Sequence, residues 1–436
     1  MNPEFRRQLW LQFSPARLIL MPALLALGSI AVMLSASQDH LMESLAGSLL
    51  AACLLIVFGM GTNAAGTSIL EEIQERTWDQ QRMSAMQPWA MTWGKLAGAT
   101  SYAWFGGLLC LFVFVPAALA AHWEHAGEIA LGILLGGVLL HALLFAINQQ
   151  LGRNPGKLAQ RGGMWVLLML LLWGTFFGTS FFRNKGISWW GEDYDVWRFL
   201  IGSLLVFTPC VLIAAWRLMA ENLAVRQIPW AWPALILLLT AYIGGFASES
   251  RLPLSLTGLA IASLLTYASL LSQPQTRVSW QRLLGFAAGG QWRQGLLQLP
   301  TWLTSLALVL PLAVLAMLKL GANHGGLPES EYFNAQQPLV IALLTVRDCC
   351  LLLFFSFNPK ARRPQGAFMI TLLVLYLLLP WLFSAMGMSG LGALSSPLGS
   401  ESGIAGAIAA LHVGVAALLL RWRWNRTRPE EEESRA

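Results

Sequence analysis

Long runs of apolar residues recur along the sequence and constrain what the chain can fold into. Each run reaches about 18 residues or more, enough for an α-helix to cross a hydrocarbon core of about 30 Å. Of the 436 residues, 56% are hydrophobic and only 11% are charged, which is too little charge to cover the surface of a water-soluble protein of this length. The sequence therefore predicts an all-α polytopic membrane protein.

Twelve transmembrane helices are predicted, with the N- and C-termini both cytoplasmic. The predicted spans are residues 18–36, 45–67, 97–120, 129–149, 163–182, 199–219, 230–248, 254–272, 300–319, 337–357, 366–386 and 403–420. In this arrangement 22 of the 28 Lys and Arg residues lie in cytoplasmic segments and five lie in or beside external segments. Basic residues favour the cytoplasmic side, so this asymmetry predicts the orientation. The basic residues form no continuous face, which argues against a nucleic-acid partner.

The spans divide evenly into two six-helix halves. We predict a first half over 1–222, a second half over 223–420 and a cytoplasmic tail over 421–436. The first half begins with an amphipathic stretch that we expect to lie in the membrane plane, with Arg6 and Arg7 among lipid headgroups. A diverged duplication and a chance similarity both fit the correspondence between the two halves.

The longest polar stretch in the first third of the chain separates the second and third predicted spans. It reads as a short helix at the cytoplasmic face, with acidic residues near its positive end and Trp and Met side chains suited to a partner's groove. The alternative is an ordinary polar loop whose charges set topology. The predicted partner-docking residues are Glu71, Glu72, Glu75, Arg76, Thr77, Trp78, Asp79, Arg82, Met83 and Met86.

This stretch resembles the coupling-helix region of ABC-2 type exporter permeases, the membrane-spanning subunits of ATP-binding-cassette transporters. The matching residues are Glu75, Thr77, Pro88 and the triplet Gly94-Lys95-Leu96 that opens the next span. The family often has Gly where this chain has Arg76, and the second six spans have no clear counterpart in a typical member.

The resemblance implies an exporter subunit of a bacterial inner membrane that works with a separate ABC ATPase, expected in two copies. The sequence contains no Walker A signature, so we expect no cofactor on this chain, with ATP and Mg²⁺ bound by the partner. Either residues 273–299 act as a second, degenerate coupling element and one chain forms the pathway, or a second copy of the chain is needed.

Four positions are candidates for an interface or gate, namely Gly94, Lys95, Arg347 and Asp348. Gly94 removes a side chain where a helix enters the bilayer, and Lys95 can snorkel to the interface. Arg347 and Asp348 are ionisable residues inside a predicted span, which are costly and often functional. Because adjacent residues point apart on a helix, we expect these two to find different partners. They line a polar cavity, or they lie near the cytoplasmic interface.

Two other function classes compete with the permease interpretation. A twelve-span secondary transporter would use Arg347 and Asp348 in ion coupling. A membrane-embedded enzyme acting on lipid-linked substrates would need catalytic residues, but we find no catalytic or metal-binding motif, and His141 and His412 are expected to be packing residues.

Overall fold

The computed structural model describes residues 2–84, 86–151, 186–246, 253–273, 275–322, 335–358, 361, 363–399 and 404–426. Ten helices in these ranges are long and apolar enough to cross a membrane, and a further apolar helix, Ala231–Phe246, has 16 residues. The predicted helical fold, with many helices that could span a membrane, is therefore confirmed. The fifth predicted span, 163–182, lies outside the described residues. The count of twelve spans and the side of the termini stay predictions.

The chain divides into two compact units, of which the first comprises Met1–Ser188 and Glu192–Gln227. Its helices are α1 (Pro3–Gln12), α2 (Pro15–Ser35), a 3₁₀ turn (Gln38–His40), α3 (Leu41–Leu54), a π-helical stretch (Leu55–Gly61), α4 (Thr62–Gln74), α5 (Trp78–Arg82), α6 (Pro88–Ala99), α7 (Ser101–Ala120), α8 (Ala126–Leu151) and α9 (Val196–Asn222). Between α8 and α9 in the sequence, strands β1 (Ile187–Trp189) and β2 (Glu192–Tyr194) form a two-stranded sheet.

Local capping separates α1 from the first long apolar helix. The Asn2 side chain accepts a hydrogen bond from the Glu4 amide at 3.0 Å, and Pro3 occupies the first turn of α1. The Ser14 hydroxyl then accepts from the Arg17 amide at 3.3 Å, and Pro15 opens α2. Asn and Ser at the cap with Pro in the first turn are strong helix-start signals. The N-terminal stretch is therefore a separate short helix, as predicted.

The second apolar helix of the first unit continues well past its predicted end at residue 67. Helical structure runs from Gln38 to Gln74, through the π-helical stretch and α4. Glu71 and Glu72 therefore lie in the last turn of α4, and the expectation that they occupy the positive end of the next helix is wrong. Carboxylates at a helix C-terminus oppose the helix dipole, so Glu72 needs compensating cations.

Small residues allow close packing in the core of the first unit. Helix α3 packs against α7, α4 against α8, and α8 against α9. Gly107 of α7 lies directly against the Val57 side chain, where any β-carbon would overlap it. Such small-residue contacts are the usual basis of helix association in membranes.

The second unit comprises Trp189–Gly191 and Ile228–Ala436. Its helices are α10 (Ala231–Phe246), α11 (Leu254–Ser272), α12 (Arg277–Ala288), α13 (Trp292–Leu297), α14 (Thr301–Ala322), α15 (Gln337–Ser356), α16 (Pro364–Leu373), a π-helical stretch (Val374–Leu378), α17 (Leu379–Ala385), α18 (Ser389–Ser395), a 3₁₀ turn (Pro397–Gly399) and α19 (Ala405–Arg426). Helix α10 packs against α11, α11 against α14 and α15, and α15 against α19.

Candidate functional site

A buried charge cluster joins four helices of the first unit at one end of the apolar helices. At its centre is Lys95 of α6, whose side chain is 0% exposed. Its Nζ donates to Glu4 Oε1 of α1 at 3.1 Å, to Gln81 Oε1 of α5 at 2.6 Å, and to Glu72 Oε2 of α4. The Nζ also lies 5.6 Å from the centre of the Trp78 ring. One ammonium group therefore connects the N-terminal helix, the end of α4, the short polar helix and the start of α6.

Arg7 of α1 completes the cluster and balances its charge. Its Nη2 lies 2.8 Å from Glu4 Oε1, its Nε lies 3.0 Å from Glu4 Oε2, and Nη2 also bonds Glu72 Oε1. Two carboxylates thus face two cations, and each carboxylate contacts both. Such a buried cluster tolerates the loss of one member poorly, because the remaining charges stay buried without compensation.

The cluster changes the ionisation of the α1 residues. Burial alone would raise the pKa of Glu4, but the hydrogen bond from Arg7 and the charges of Lys95 and Arg7 outweigh burial and lower this pKa to about 2. The hydrogen bond to Glu4, with the charges of Glu4 and Glu72, raises the pKa of Arg7 against the opposing effect of burial. Glu4 and Arg7 are therefore held in their charged forms at neutral pH.

Two glycines of α6 allow α1 to approach the cluster. A β-carbon at Gly94 would lie 2.8 Å from Glu4 Cβ, and one at Gly98 would overlap the Gln8 side chain. Gly94 and Gly98 are four residues apart, as are Glu4 and Gln8, so the two helices meet along matching faces. Gly94 therefore lies at a contact between α1 and α6.

One expectation about basic side chains is wrong, and a second stays a prediction. Lys95 does not snorkel to an interface, because three oxygen acceptors hold its ammonium group in the protein interior. Arg7 pairs with Glu4 and Glu72, but its side chain is still 42% exposed and Arg6 is exposed too, so their contact with lipid headgroups stays a prediction. The carboxylates that bind Lys95, Glu4 and Glu72, come from distant parts of the sequence.

The predicted docking residues divide into an exposed group and an inner group. Helix α5 exists but has only five residues. The exposed group is Glu71, Glu75, Arg76, Asp79, Arg82 and Met83. Glu72 is buried in the charge cluster, Thr77 is half-buried, and Trp78 and Met86 pack against the apolar core of the first unit. Their role in docking a partner stays a prediction.

Arg76 forms the turn between α4 and α5 in the left-handed region, with a φ of 59°. Its amide donates to Ile73 O at 3.3 Å and the Thr77 amide donates to Glu72 O at 3.0 Å. This pair of hydrogen bonds is the Schellman motif, in which the left-handed residue is usually glycine. Arg76 therefore has a backbone conformation that favours glycine, and it stands where ABC-2 type permeases often have Gly.

A second group of polar side chains lies within the apolar helices of the second unit. Arg347 Nε donates to Asp348 Oδ1 at 2.8 Å, and Asp348 Oδ2 accepts from the hydroxyls of Tyr267 at 2.7 Å and Tyr376 at 2.9 Å. Arg347 Nη1 lies 3.3 Å from His412 Nδ1. Both charged residues are buried midway along α15.

The expectation that Arg347 and Asp348 find different partners is wrong. The Cα–Cβ bonds of the two residues point in different directions, but the long Arg347 side chain folds back along α15 and reaches the Asp348 carboxylate. In an apolar environment this charge pairing outweighs the directions of the two Cβ atoms. The pair lies at the middle of its helix, and the alternative of an interfacial position stays untested.

His141 is a packing residue, as expected. It is buried in α8, its Nε2 lies 2.8 Å from Val57 O, and its ring is 5.3 Å from that of Trp104 in an edge-on contact. The Val57 carbonyl belongs to the π-helical stretch, where widened turns leave backbone groups available to side chains. His141 therefore stabilises an irregular turn in a long apolar helix.

Sequence reasoning identified Lys95 and Glu72 without their pairing, and it missed Glu4 and Gln8 altogether. The one available signal was a single carboxylate in a short amphipathic helix that otherwise carries Arg, Gln and apolar residues. Among the residues that the structure describes, no group of three or more His, Cys, Asp and Glu side chains is placed to bind a metal ion.

Comparison with known proteins adds no relative. No family model, no curated protein and no solved structure was found to match the chain. The resemblance to ABC-2 type permeases therefore rests on the residues quoted above, and it stays a prediction.

Proposed function

We propose that this chain is the transmembrane permease subunit of an ATP-driven exporter and that it docks a separate ABC ATPase through residues 71–87. The observation that carries the proposal is that this segment has exposed acidic side chains, while other side chains of the same segment bind the buried Lys95. Glu71, Glu75 and Asp79 are exposed, while Glu72 and Gln81 of the same segment bind the buried Lys95. Such a segment offers charge for recognition by a soluble protein and is fixed to the apolar helices.

The charge cluster gives docking a mechanical consequence. A partner that displaces α5 would also move Gln81 and, through Lys95, the start of α6. The same ammonium group binds Glu72 at the end of α4 and Glu4 of α1. Separating Lys95 from Glu4 or Glu72 would leave buried charges unpaired at a cost of several kcal/mol, and the Gln81 amide joins α5 to the same ammonium group, so the four elements should move together. ATP hydrolysis on the partner would in this way shift the membrane-spanning helices of a multi-pass protein in a bacterial inner membrane.

The test is co-purification from the native host in mild detergent. The variant Glu75→Ala/Asp79→Ala removes two exposed carboxylates without touching the buried cluster. The matched control, Glu192→Ala/Asp193→Ala, removes two exposed carboxylates from β2. We expect vanadate-sensitive ATPase activity to co-purify with the parent and the control and to be lost from the docking variant. An active, stable parent that carries no ATPase would exclude the proposal.

A second candidate, an ion-coupled secondary transporter, is favoured by the Asp348 group. Ionisable residues deep in a membrane often belong to ion pathways, and Asp348 is surrounded by Arg347 and two tyrosine hydroxyls. Proteoliposomes containing this chain alone discriminate between the candidates. Movement of a lipophilic dye driven by an imposed proton or sodium gradient, and lost in Asp348→Asn, would support the second candidate.

A further inference from the structure

The segment between α11 and α14 connects two candidate membrane spans, so both of its ends should lie at the membrane boundary. Helix α11 ends at Ser272 and α14 begins at Thr301, and both are candidate membrane spans. The start of α12 is also anchored, because the Trp280 ring lies 5.7 Å from that of Trp302 and the Arg277 guanidinium lies 5.0 Å from the Trp424 ring. Helices α12 and α13 therefore cannot move far from the bilayer surface.

Beyond this anchor the segment presents apolar side chains to its surroundings. On α12 the exposed apolar residues Leu284 and Ala287 are three positions apart and share one helix face. Leu284 is 54% exposed, and in α13 Trp292 and Leu296 are 69% and 47% exposed. A helix that lies in the membrane interface buries such a face at the boundary between headgroups and acyl chains.

The charged side chains of this segment are all basic. Residues 273–299 contain three arginines and no carboxylate, and Arg282 and Arg293 are exposed. Residues 71–87, in the corresponding place in the first unit, contain four carboxylates and two arginines. An anionic surface attracts the basic segment and repels the acidic one.

We propose that α12 and α13 bind anionic phospholipid headgroups, with Arg282 and Arg293 on the phosphates and Leu284, Trp292 and Leu296 among the upper acyl chains. Each arginine near a charged leaflet strengthens binding about fivefold, equal to about 1 kcal/mol. The two exposed arginines should therefore favour an anionic over a zwitterionic surface by roughly 25-fold. This proposal does not depend on the proposed function, because it concerns a different segment and a different partner.

The test is hydrogen–deuterium exchange on the full-length protein in lipid nanodiscs. We compare discs of phosphatidylcholine with discs of an equal mixture of phosphatidylcholine and phosphatidylglycerol. Amides of residues 281–297 should exchange several-fold more slowly in the anionic discs, and added salt should remove the difference. Arg282→Gln/Arg293→Gln should also remove it, whereas the control Arg76→Gln/Arg82→Gln, two exposed arginines of the acidic segment, should retain it.

Unchanged exchange of amides in α14 shows that the variants keep their fold. Equal exchange of residues 281–297 in both kinds of disc would overturn the proposal. It would also be overturned if protection of these residues required a soluble protein and was indifferent to lipid charge.

Discussion

Replacing Lys95 by Met tests whether the charge cluster holds the first unit together. Methionine keeps much of the apolar volume but removes the ammonium group, so Glu4 and Glu72 remain buried with Arg7 as their one cation within the cluster. Removing one partner of a buried charge pair costs about 3–5 kcal/mol. By the scaling of a soluble domain of about 150–250 residues, this cost lowers the thermal midpoint by roughly 6–20 °C.

The assay is thermal unfolding in detergent, followed by size-exclusion chromatography of the fraction that stays monodisperse. Arg82→Met is the matched control, because Arg82 is an exposed cation on the neighbouring α5 and its loss should change stability by less than about 0.5 kcal/mol. Adding Glu72→Gln to Lys95→Met restores one carboxylate to one cation and should recover at least half of the loss. Equal midpoints for Lys95→Met and Arg82→Met would refute the reasoning.

Four further predictions follow from the same contacts. The pKa of Glu4 is lowered from 4.5 to about 2. Its contribution to the free energy of unfolding, about 3 kcal/mol, is therefore present above pH 4.5 and is lost as the pH falls toward 2. In that window the thermal midpoint of Glu4→Gln should depend less on pH than that of the parent. Gly98→Leu should separate α1 from α6 at a cost of about 1–3 kcal/mol and speed proteolysis of the N-terminal helix. The control Gly28→Leu should do neither, because a Cβ added at Gly28 meets nothing within 4 Å. Asp348→Asn leaves the neighbouring guanidinium buried without its counter-charge and should destabilise the second unit by about 3–5 kcal/mol in the same thermal assay. Arg76→Gly relieves a left-handed backbone conformation and should raise the midpoint slightly or leave it unchanged, whereas Arg76→Ala should not raise it.

The helical membrane fold could be predicted because it depends on local composition. Apolar runs of sufficient length must form helices in lipid, where every backbone polar group needs an internal partner. The end of a helix was less predictable where the helix continues from an apolar run into polar sequence. Helix α4 continues through Glu71 and Glu72 because Arg7 and Lys95 bind Glu72, and those partners lie 65 and 23 positions away in the sequence.

The charge cluster could not be predicted for the same reason. Its pairs connect residues up to 91 positions apart, and no local pattern around Glu4 or Lys95 indicates the other. At Arg347 and Asp348 the error was the reverse. Helix geometry predicts that adjacent residues have different partners, but the length of the arginine side chain allows the two to pair. Long-range electrostatics and side-chain flexibility therefore account for the main errors at the candidate sites.

The two units share an order of helix packing, as a diverged duplication would produce. Helix α3 packs against α7 and α8 against α9 in the first unit, while α11 packs against α14 and α15 against α19 in the second. Each unit places a polar segment after the first helix of this series, but one segment is acidic and the other basic. If the basic segment lies on lipid, each chain offers a single docking segment, and two ATPase subunits would require two copies of this chain. A ratio of one ATPase to one chain in the purified complex would fit that arrangement, whereas a ratio of two to one would mean that both segments dock.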